Sequence, residues 1–272
     1  MDPTPRLSAV VADGVATVTI EHPEKRNALT PRMWRALPEL LARTATDPAV
    51  RALVLTGAGD VFSAGADIGA LREPGDAMQD LSVRAEEALA AFPKPTLAAV
   101  RGYCVGGGAQ LAVACDLRFA EEGARFGITP AKLGVVYRSS STRRLVSLVG
   151  PSTAKYLLFS GELIDTGRAL RVGLVDEVLP PGELAGRVAE FTRVLTTRSQ
   201  LTQAAAKEYA AGREDRDAYW AAQAGAGGDR EEGVTAFLER RTPRFGWTVG
   251  GAGAEAGAEL PRGSRRTDQS VT

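Results

Sequence analysis

Three consecutive glycines place the strongest constraint on how this chain can fold. Gly106, Gly107 and Gly108 follow a short apolar segment, residues 96–100, that predicts a buried strand, and precede small apolar residues, 109–115, that predict a buried helix. Glycine permits backbone conformations closed to other residues and lets a ligand approach the main chain. The first N–H groups of a helix lack internal partners and lie at the positive end of its dipole. The turn therefore predicts a site for an anion, or for an oxygen that becomes one during a reaction.

Other uses of such a turn remain open at this point. Glycine-rich turns between a strand and a helix also bind phosphates, but this one lacks the Lys-Ser/Thr ending of a P-loop and does not fit GxGxxG cleanly. A tight contact between a helix and a strand is the purely structural alternative. A second stretch, RALVLTGAGDVFSAGADI at residues 51–68, favours the oxyanion interpretation, because it predicts another buried strand followed by a turn with a free amide near Ala66.

These two stretches together resemble the crotonase (enoyl-CoA hydratase/isomerase) superfamily. The resemblance rests on FSAGADI followed by KPTLAAVRGYCVGGGAQLAVACD, on HPEKRNAL at residues 22–29, and on FGITPAKLG and EEGVTAFLERRTPRF further along the chain. The motifs occur in order from about residue 10 to about residue 247. The resemblance implies an α/β fold with a crotonase (ClpP-like ββα spiral) core and a C-terminal helical region that packs on a neighbouring subunit, in trimers or dimers of trimers.

The pattern along the chain predicts three parts. Residues 1–180 alternate strands and helices and form the α/β core, residues 181–247 are helical by periodicity, and residues 248–272, rich in Gly, Ala and small polar residues, are expected to be disordered. Pro38 is expected to kink or split a helix over residues 31–46, and Gly150-Pro151 to divide a later pair of helices.

The amino-acid composition limits the classes of binding partner and the cellular compartment that we expect. Lys plus Arg and Asp plus Glu number 33 each, so net charge gives no sign of nucleic acid or membrane binding. No apolar run is long enough to span a bilayer, and the N-terminus lacks the features of a signal peptide. The two cysteines, Cys104 and Cys115, fit a reducing cytoplasm and are expected to be buried and inert. The single histidine, His22, argues against a His-based metal site, and we expect no metal.

The resemblance implies roles for particular residues. The backbone N–H groups of Ala66 and Gly107 would hold the thioester oxygen of an acyl-CoA substrate, with Gly106 beside them. Coenzyme A would be part of the substrate and not a separate cofactor. Its adenine and pantetheine would lie against a set of residues near the first turn: Arg26, Ala28, Ala64, Asp67 and Ile68. Basic residues within 240–244 either reach a CoA phosphate across a subunit boundary or form a solvated helix end.

Two acid/base groups expected of a hydratase are missing. The family's hydratases use two glutamates, whose positions hold Gln110 and Pro130 here. An amide cannot accept a proton at neutral pH, and proline has no side-chain base. The isomerase branch would lose its base at Pro130 as well.

The segment around Thr129 and Tyr137 instead resembles the methylmalonyl-CoA decarboxylase branch, so decarboxylation of methylmalonyl-CoA or a related malonyl thioester is the leading expectation. Thr129, Tyr137 and Gln110 would orient the carboxylate. Two alternatives stay open: an enoyl-CoA hydratase or isomerase with atypical acid/base residues, and a non-catalytic acyl-CoA-binding protein. As structural alternatives, Thr129 would cap a turn, Tyr137 would be a pocket wall, and Gln110 a satisfied buried amide.

Overall fold

The computed structural model describes residues 4–69 and 77–250 of the 272-residue chain, and these residues form an α/β structure. The strands are β1 (Arg6–Ala12), β2 (Val15–Glu21), β3 (Ala52–Gly57), β4 (Thr96–Val100), β5 (Tyr103–Val105), β6 (Leu117–Glu121), β7 (Arg125–Gly127), β8 (Ile164–Asp165) and β9 (Glu177–Leu179). The helices are α1 (Pro31–Thr46), α2 (Ala77–Ala90), α3 (Gly107–Ala114), α4 (Ser139–Ser160), α5 (Thr166–Arg171), α6 (Leu184–Thr196), α7 (Gln200–Ala210), α8 (Asp217–Ala226) and α9 (Asp229–Leu238).

The strands form two sheets. The larger sheet has the order β1-β2-β3-β4-β6-β9, in which β1 and β2 are antiparallel and the later neighbours are parallel. Its central strand β4 is buried along its whole length, as expected for a parallel strand covered on both faces. The smaller sheet has the order β5-β7-β8. The glycine turn joins β5 to α3 and is fastened to this sheet, because Gly106 N–H donates to Gly127 O at 2.8 Å.

Apolar side chains cover both faces of the larger sheet. On one face α1, α2 and α3 pack over β2, β3 and β4 with the fully buried Trp34 and Phe62 in the same core. On the other face, Leu184 and Val188 of α6 pack on Phe119 and its neighbours. A third cluster joins α7, α8 and the segment after α9. The glycine turn and α3 therefore lie inside the main core.

Most of the predicted elements of the core are confirmed. The strand predicted at residues 96–100 has those bounds, and the break predicted at Gly150 is present, with φ 75° and ψ 162° inside α4. Of the two outcomes expected at Pro38, a kink or a split, the split is wrong, because α1 is one helix from Pro31 to Thr46. A buried face that includes Met33, Leu37 and Leu41 holds it against the core.

The C-terminal part is helical, as predicted from residue 181 onward, although α8 was not anticipated. The tail predicted from residue 248 lies outside the described residues from residue 251 on. Of the part that is described, Val249 N–H donates to Gln200 Oε1 at 3.1 Å. None of the helices within residues 4–69 and 77–250 is long and apolar enough to cross a membrane.

Candidate active site

Each glycine of the turn is required for a different physical reason. Gly106 has φ 53° and ψ −121°, a conformation that side-chain-bearing residues rarely adopt. A Cβ on Gly107 would lie 2.8 Å from Trp34 Cζ2, and one on Gly108 would lie 2.7 Å from Ser63 Cβ. Real Cβ atoms essentially never come closer than 3.0 Å to such neighbours. The turn therefore packs at distances that only glycine allows.

The amide of Ala66 is left free by the hydrogen bonds of its neighbours. Leu29 N–H donates to Gly65 O at 2.7 Å, and Asp67 N–H donates to Leu29 O at 2.9 Å. Because successive groups of an extended chain point to opposite sides, the N–H of Ala66 is directed away from Leu29. A Cβ on Gly107 would lie 3.5 Å from Ala66 N, so the two predicted donors are adjacent. Within the described part of the chain, no group accepts a hydrogen bond from either N–H.

The turn before α1 is held by one asparagine. Asn27 has a positive φ of 57°, which asparagine tolerates better than most residues. Its Nδ2 donates to Ala58 O at 2.8 Å and to Val61 O at 2.6 Å, while its Oδ1 accepts from His22 N–H at 2.9 Å. His22 Nδ1 lies 2.8 Å from Ala28 O. The histidine thus has the local structural role that its position predicts.

A cavity of about 310 Å³ opens beside the two free amides. Eight of the eleven predicted site residues line it: Ala64, Ala66, Ile68, Gly106, Gly107, Gln110, Thr129 and Tyr137. Two larger cavities, of about 360 and 490 Å³, have none of the predicted site residues among their described walls.

The other three predicted residues lie outside the walls of this cavity. The Arg26 guanidinium lies over the Tyr103 ring, 5.5 Å from its centroid, and the Ala28 side chain is buried. Asp67 accepts a hydrogen bond from Lys25 Nζ at 2.7 Å, and this bond, first among the causes, lowers the pKa of its carboxyl group. These residues surround the turn and not the cavity itself.

Three polar side chains face the cavity without a hydrogen-bond partner in the part of the chain that the structure describes. Nothing in the described ranges hydrogen-bonds to the side chains of Gln110, Thr129 or Tyr137, although Gln110 is only 7% exposed. Thr129 makes no capping bond to the turn that follows it, so the capping alternative is wrong. The position of a Cβ on Gly106 is 3.6 Å from Thr129 Oγ1 and 3.9 Å from Tyr137 Oη. Both hydroxyls therefore lie next to the free amides.

Burial, assisted by the nearby charge of Glu86, raises the pKa of Tyr137 above its usual range, so its hydroxyl is neutral. Lys132 is the one charged side chain among the described residues of the cavity wall, and no carboxylate is among them. No group of three or more His, Cys, Asp or Glu side chains within the described ranges is arranged to hold a metal ion. The cavity can thus stabilise negative charge on a bound oxygen, but its described walls hold no strong base.

Sequence reasoning missed two residues that matter here. Trp34 forms a wall of the cavity and presses on Gly107. Glu86 lies behind Tyr137, on the inner face of α2, and is 1% exposed. A glutamate on the apolar side of a helix, four residues after Ser82 and three before Leu89, is a signal that could have pointed to it.

Comparison with known proteins finds one family over most of the chain. The sequence profile of the enoyl-CoA hydratase/isomerase family matches residues 11–247. The (E)-benzylidenesuccinyl-CoA hydratase of Thauera aromatica is 35% identical over 86% of this chain and 96% of its own length. The crotonyl-CoA hydratase of Syntrophomonas wolfei is 36% identical over 85% of this chain and 94% of its own length. The crystal structure of an enoyl-CoA hydratase/isomerase family member, 38% identical, superposes with a TM-score of 0.84 over 91% of this chain and 98% of that one.

These findings confirm the predicted α/β crotonase fold and overturn one functional expectation. The prediction of a methylmalonyl-CoA decarboxylase is wrong, because relatives over nearly the full length are named as hydratases. The physical reason is that the segment around Thr129 and Tyr137 places two neutral hydroxyls beside the free amides. Such hydroxyls orient a water molecule as well as a carboxylate, so the short segment does not specify the reaction.

Proposed function

The chain belongs to the enoyl-CoA hydratase/isomerase family, and on that premise we propose that it hydrates a 2-enoyl-CoA thioester with atypical acid/base residues. It is an acyl-CoA-processing enzyme of the crotonase superfamily. The observation that carries the proposal is a pair of N–H groups, on Ala66 and Gly107, beside three polar side chains, none of which has a hydrogen-bond partner among the described residues.

The two amides would stabilise the enolate. The thioester oxygen accepts hydrogen bonds from Ala66 N–H and Gly107 N–H, which draws electrons from the double bond and makes Cβ electrophilic. Water adds at Cβ, and the negative charge moves onto the held oxygen. One donor of this kind typically contributes about 3–4 kcal/mol to the transition state. Since the main chain supplies both donors, the side chains at these positions need only be small.

The polar side chains would position water and move its proton. The Gln110 amide and Thr129 hydroxyl can orient the attacking water but cannot hold its proton at neutral pH. Tyr137 can donate and accept at its single hydroxyl, which supports its role as the proton-transferring group. The pantetheine and adenine of the substrate would lie along Ala64 and Ile68 toward the exposed turn around Arg26, and the reaction needs no separate cofactor.

Hydration is tested with purified protein and crotonyl-CoA, followed through the loss of the enone absorbance. We expect turnover that falls by at least about tenfold in Tyr137→Phe, with KM little changed, because the hydroxyl acts on the proton and not on binding. A panel of short, aromatic and dicarboxylic enoyl-CoA thioesters would identify the acyl group. Absence of turnover across the whole panel rejects the proposal.

One observation favours a second candidate, a non-catalytic acyl-CoA-binding protein. No carboxylate lies among the described residues of the cavity wall. This candidate predicts that calorimetry detects binding of crotonyl-CoA while the same preparation shows no turnover of any thioester in the panel.

We propose that the C-terminal helices associate with neighbouring subunits in a homotrimer or dimer of trimers. Phe237 and Leu238 of α9 are 83% and 75% exposed in the single chain, which supports this arrangement. Sedimentation velocity would show the assembly, and Phe237→Glu is expected to weaken it. We also propose a cytoplasmic location. The two cysteines are buried and form no disulfide, which supports a reducing environment.

A further inference from the structure

A buried carboxylate lies directly behind the candidate active site. Glu86 of α2 is 1% exposed and accepts hydrogen bonds from Ser141 Oγ and from the Arg144 guanidinium of α4. Glu87, its neighbour in sequence, accepts from the same guanidinium at 3.1 Å but is exposed to solvent. A buried ion pair between two helices is the purely structural account of Glu86, and it predicts no effect on chemistry.

A second, smaller cavity lies between Glu86 and the active site. Its volume, about 10 Å³ for a water-sized sphere, is close to that needed for one water molecule. Its polar walls are Glu86, Gln110, Tyr137 and Ser141, with Thr142 beside them, and apolar side chains form the rest of its lining. A small cavity with several polar walls is where a buried water is retained, since such a water needs two to four partners.

Gln110 and Tyr137 line both cavities, so they form the partition between them. Neither side chain has a hydrogen-bond partner within the described ranges, so both can bond to groups inside either cavity. A path from the acyl cavity to Glu86 by way of the small cavity therefore passes one of them. Of the two, the Tyr137 hydroxyl is the one that can pass a proton onward, because an amide does not exchange protons readily.

We propose that Glu86 stores the proton of the reaction and is connected to the acyl cavity through one bound water and the Tyr137 hydroxyl. This inference rests on the proposed hydration. It supplies the acid/base group that the described walls of the acyl cavity lack. Glu86 does not touch the substrate, so it is a positioning residue that acts through Tyr137.

The proton steps balance. As the oxygen of the attacking water bonds to Cβ, the π electrons move into the thioester enolate, and one proton of that water passes to Tyr137 Oη. Tyr137 releases its own proton to the water in the small cavity, which passes one to Glu86. The chain then runs backwards, and Tyr137 delivers a proton to Cα as the enolate electrons form the C–H bond. One water has been added, and the enzyme is unchanged.

The charges around Glu86 suit this task. Burial, the largest cause, raises the pKa of its carboxyl group, and the charge of Glu87 acts in the same direction. The Ser141 hydroxyl and Arg144 oppose the rise and keep a carboxylate available. A carboxyl group whose pKa lies nearer to neutral accepts a proton more readily from a water-linked donor.

The test compares Glu86→Gln with the matched control Glu87→Gln, which removes a carboxylate bonded to the same arginine outside the cavity. We expect Glu86→Gln to lower kcat by about 100-fold with KM unchanged and to abolish the acidic limb of the kcat–pH profile. Glu87→Gln should keep most of the wild-type kcat and retain the acidic limb, shifted to lower pH because a charge that raises the pKa of Glu86 is removed. Glu86→Gln/Tyr137→Phe should be no slower than Tyr137→Phe alone, because the two groups act in series. Equal rates for the two glutamine variants, or additive losses in the double variant, would overturn the relay.

A second variant leaves the ion pair intact. Val113 is a wall of the small cavity, so we expect the added methyl group of Val113→Ile to displace the bound water and to lower kcat by about as much as Glu86→Gln. An unchanged kcat in Val113→Ile would contradict the relay even if Glu86→Gln failed to fold.

Exchange at Cα separates failure of the relay from failure of the proposed hydration. Wild-type protein with butyryl-CoA in D2O should incorporate deuterium at Cα, measured by NMR, and Glu86→Gln should lose this exchange. If wild type hydrates no enoyl-CoA but exchanges Cα protons through Glu86, the proposed hydration falls and the relay stands. If wild type neither hydrates nor exchanges, both fall.

Discussion

Gly107→Ala is the sharpest test of the candidate oxyanion site. The new Cβ would lie 2.8 Å from Trp34 Cζ2 and 3.1 Å from Cη2, whereas ordinary van der Waals contact begins at 3.4 Å. The indole or the start of α3 must therefore move by roughly half an ångström, and because Trp34 is 0% exposed, its ring is packed against other side chains except where it borders the acyl cavity. Overpacking of this kind costs about 1–3 kcal/mol of folding stability.

A shift of the start of α3 also moves the Gly107 N–H, because the new Cβ and the amide belong to one residue. Loss of one main-chain donor typically lowers kcat by about 10²–10³-fold. We therefore expect Gly107→Ala to lose most of its enoyl-CoA hydration, measured as initial rates at saturating crotonyl-CoA, while binding of saturated acyl-CoA weakens much less. Gly107→Ala/Trp34→Phe removes the two clashing ring atoms and should recover part of the lost stability and rate.

Gly186→Ala in α6 is the matched control. No heavy atom lies within 4 Å of its added Cβ, and the residue is exposed on a helix. This substitution should stabilise the protein by about 0.4–1 kcal/mol and leave the rate unchanged. Wild-type hydration by Gly107→Ala, in a protein that melts at the wild-type temperature, would refute the assignment of the Gly107 N–H as a donor.

Three further outcomes test the packing around the site. Burial of Lys94, whose Nζ donates to a backbone carbonyl, lowers its pKa from 10.5 to about 8. Between these two pKa values the native protein therefore binds fewer protons than the unfolded chain, so its stability rises with pH. The free energy of unfolding of wild type, relative to that of Lys94→Met, should increase by roughly 2–3 kcal/mol from pH 7 to pH 10, measured by chemical unfolding. Asp229 accepts from Ser199 Oγ at 2.6 Å and from two backbone N–H groups, of which Trp247 N–H lies at 3.1 Å, so Asp229→Ala should cost about 1–3 kcal/mol and speed proteolysis of the C-terminal segment. Burial raises the pKa of Cys115 to about 12, so its thiol should react with a disulfide reagent at pH 8 only as fast as the protein unfolds.

Local patterns were enough to predict the centre of the fold. β4 is an apolar run that follows Pro95 and ends before Gly102, so its sequence alone indicates a buried strand. The edge strand β1 was missed because most of its residues are exposed, so its sequence carries no apolar alternation, and only pairing with β2 defines it. β5 was missed because it has three residues and is stabilised by its pairing with β7.

The candidate site also contains residues that local sequence can predict and residues that depend on contacts between distant parts of the chain. Ala66 and Gly107 could be predicted as donors because main-chain donors require a recognisable local sequence of small residues. Glu86 was not found because its role depends on Ser141, 55 residues away in sequence, and on a cavity that exists only after α2 and α4 pack together. Reaction type was also misjudged from a short segment, since neutral hydroxyls near an oxyanion site suit more than one reaction.

The bridge between Leu29 and Ala66 has a consequence for how this enzyme can change over generations. The donor at position 66 belongs to the polypeptide itself, so among the encoded amino acids proline alone can delete it by substitution. Mutations that reshape the surrounding walls can therefore accumulate while the anchor for the substrate persists. Proteins with this architecture can therefore change their acyl-group specificity through mutations in the cavity walls while they keep the main-chain donor.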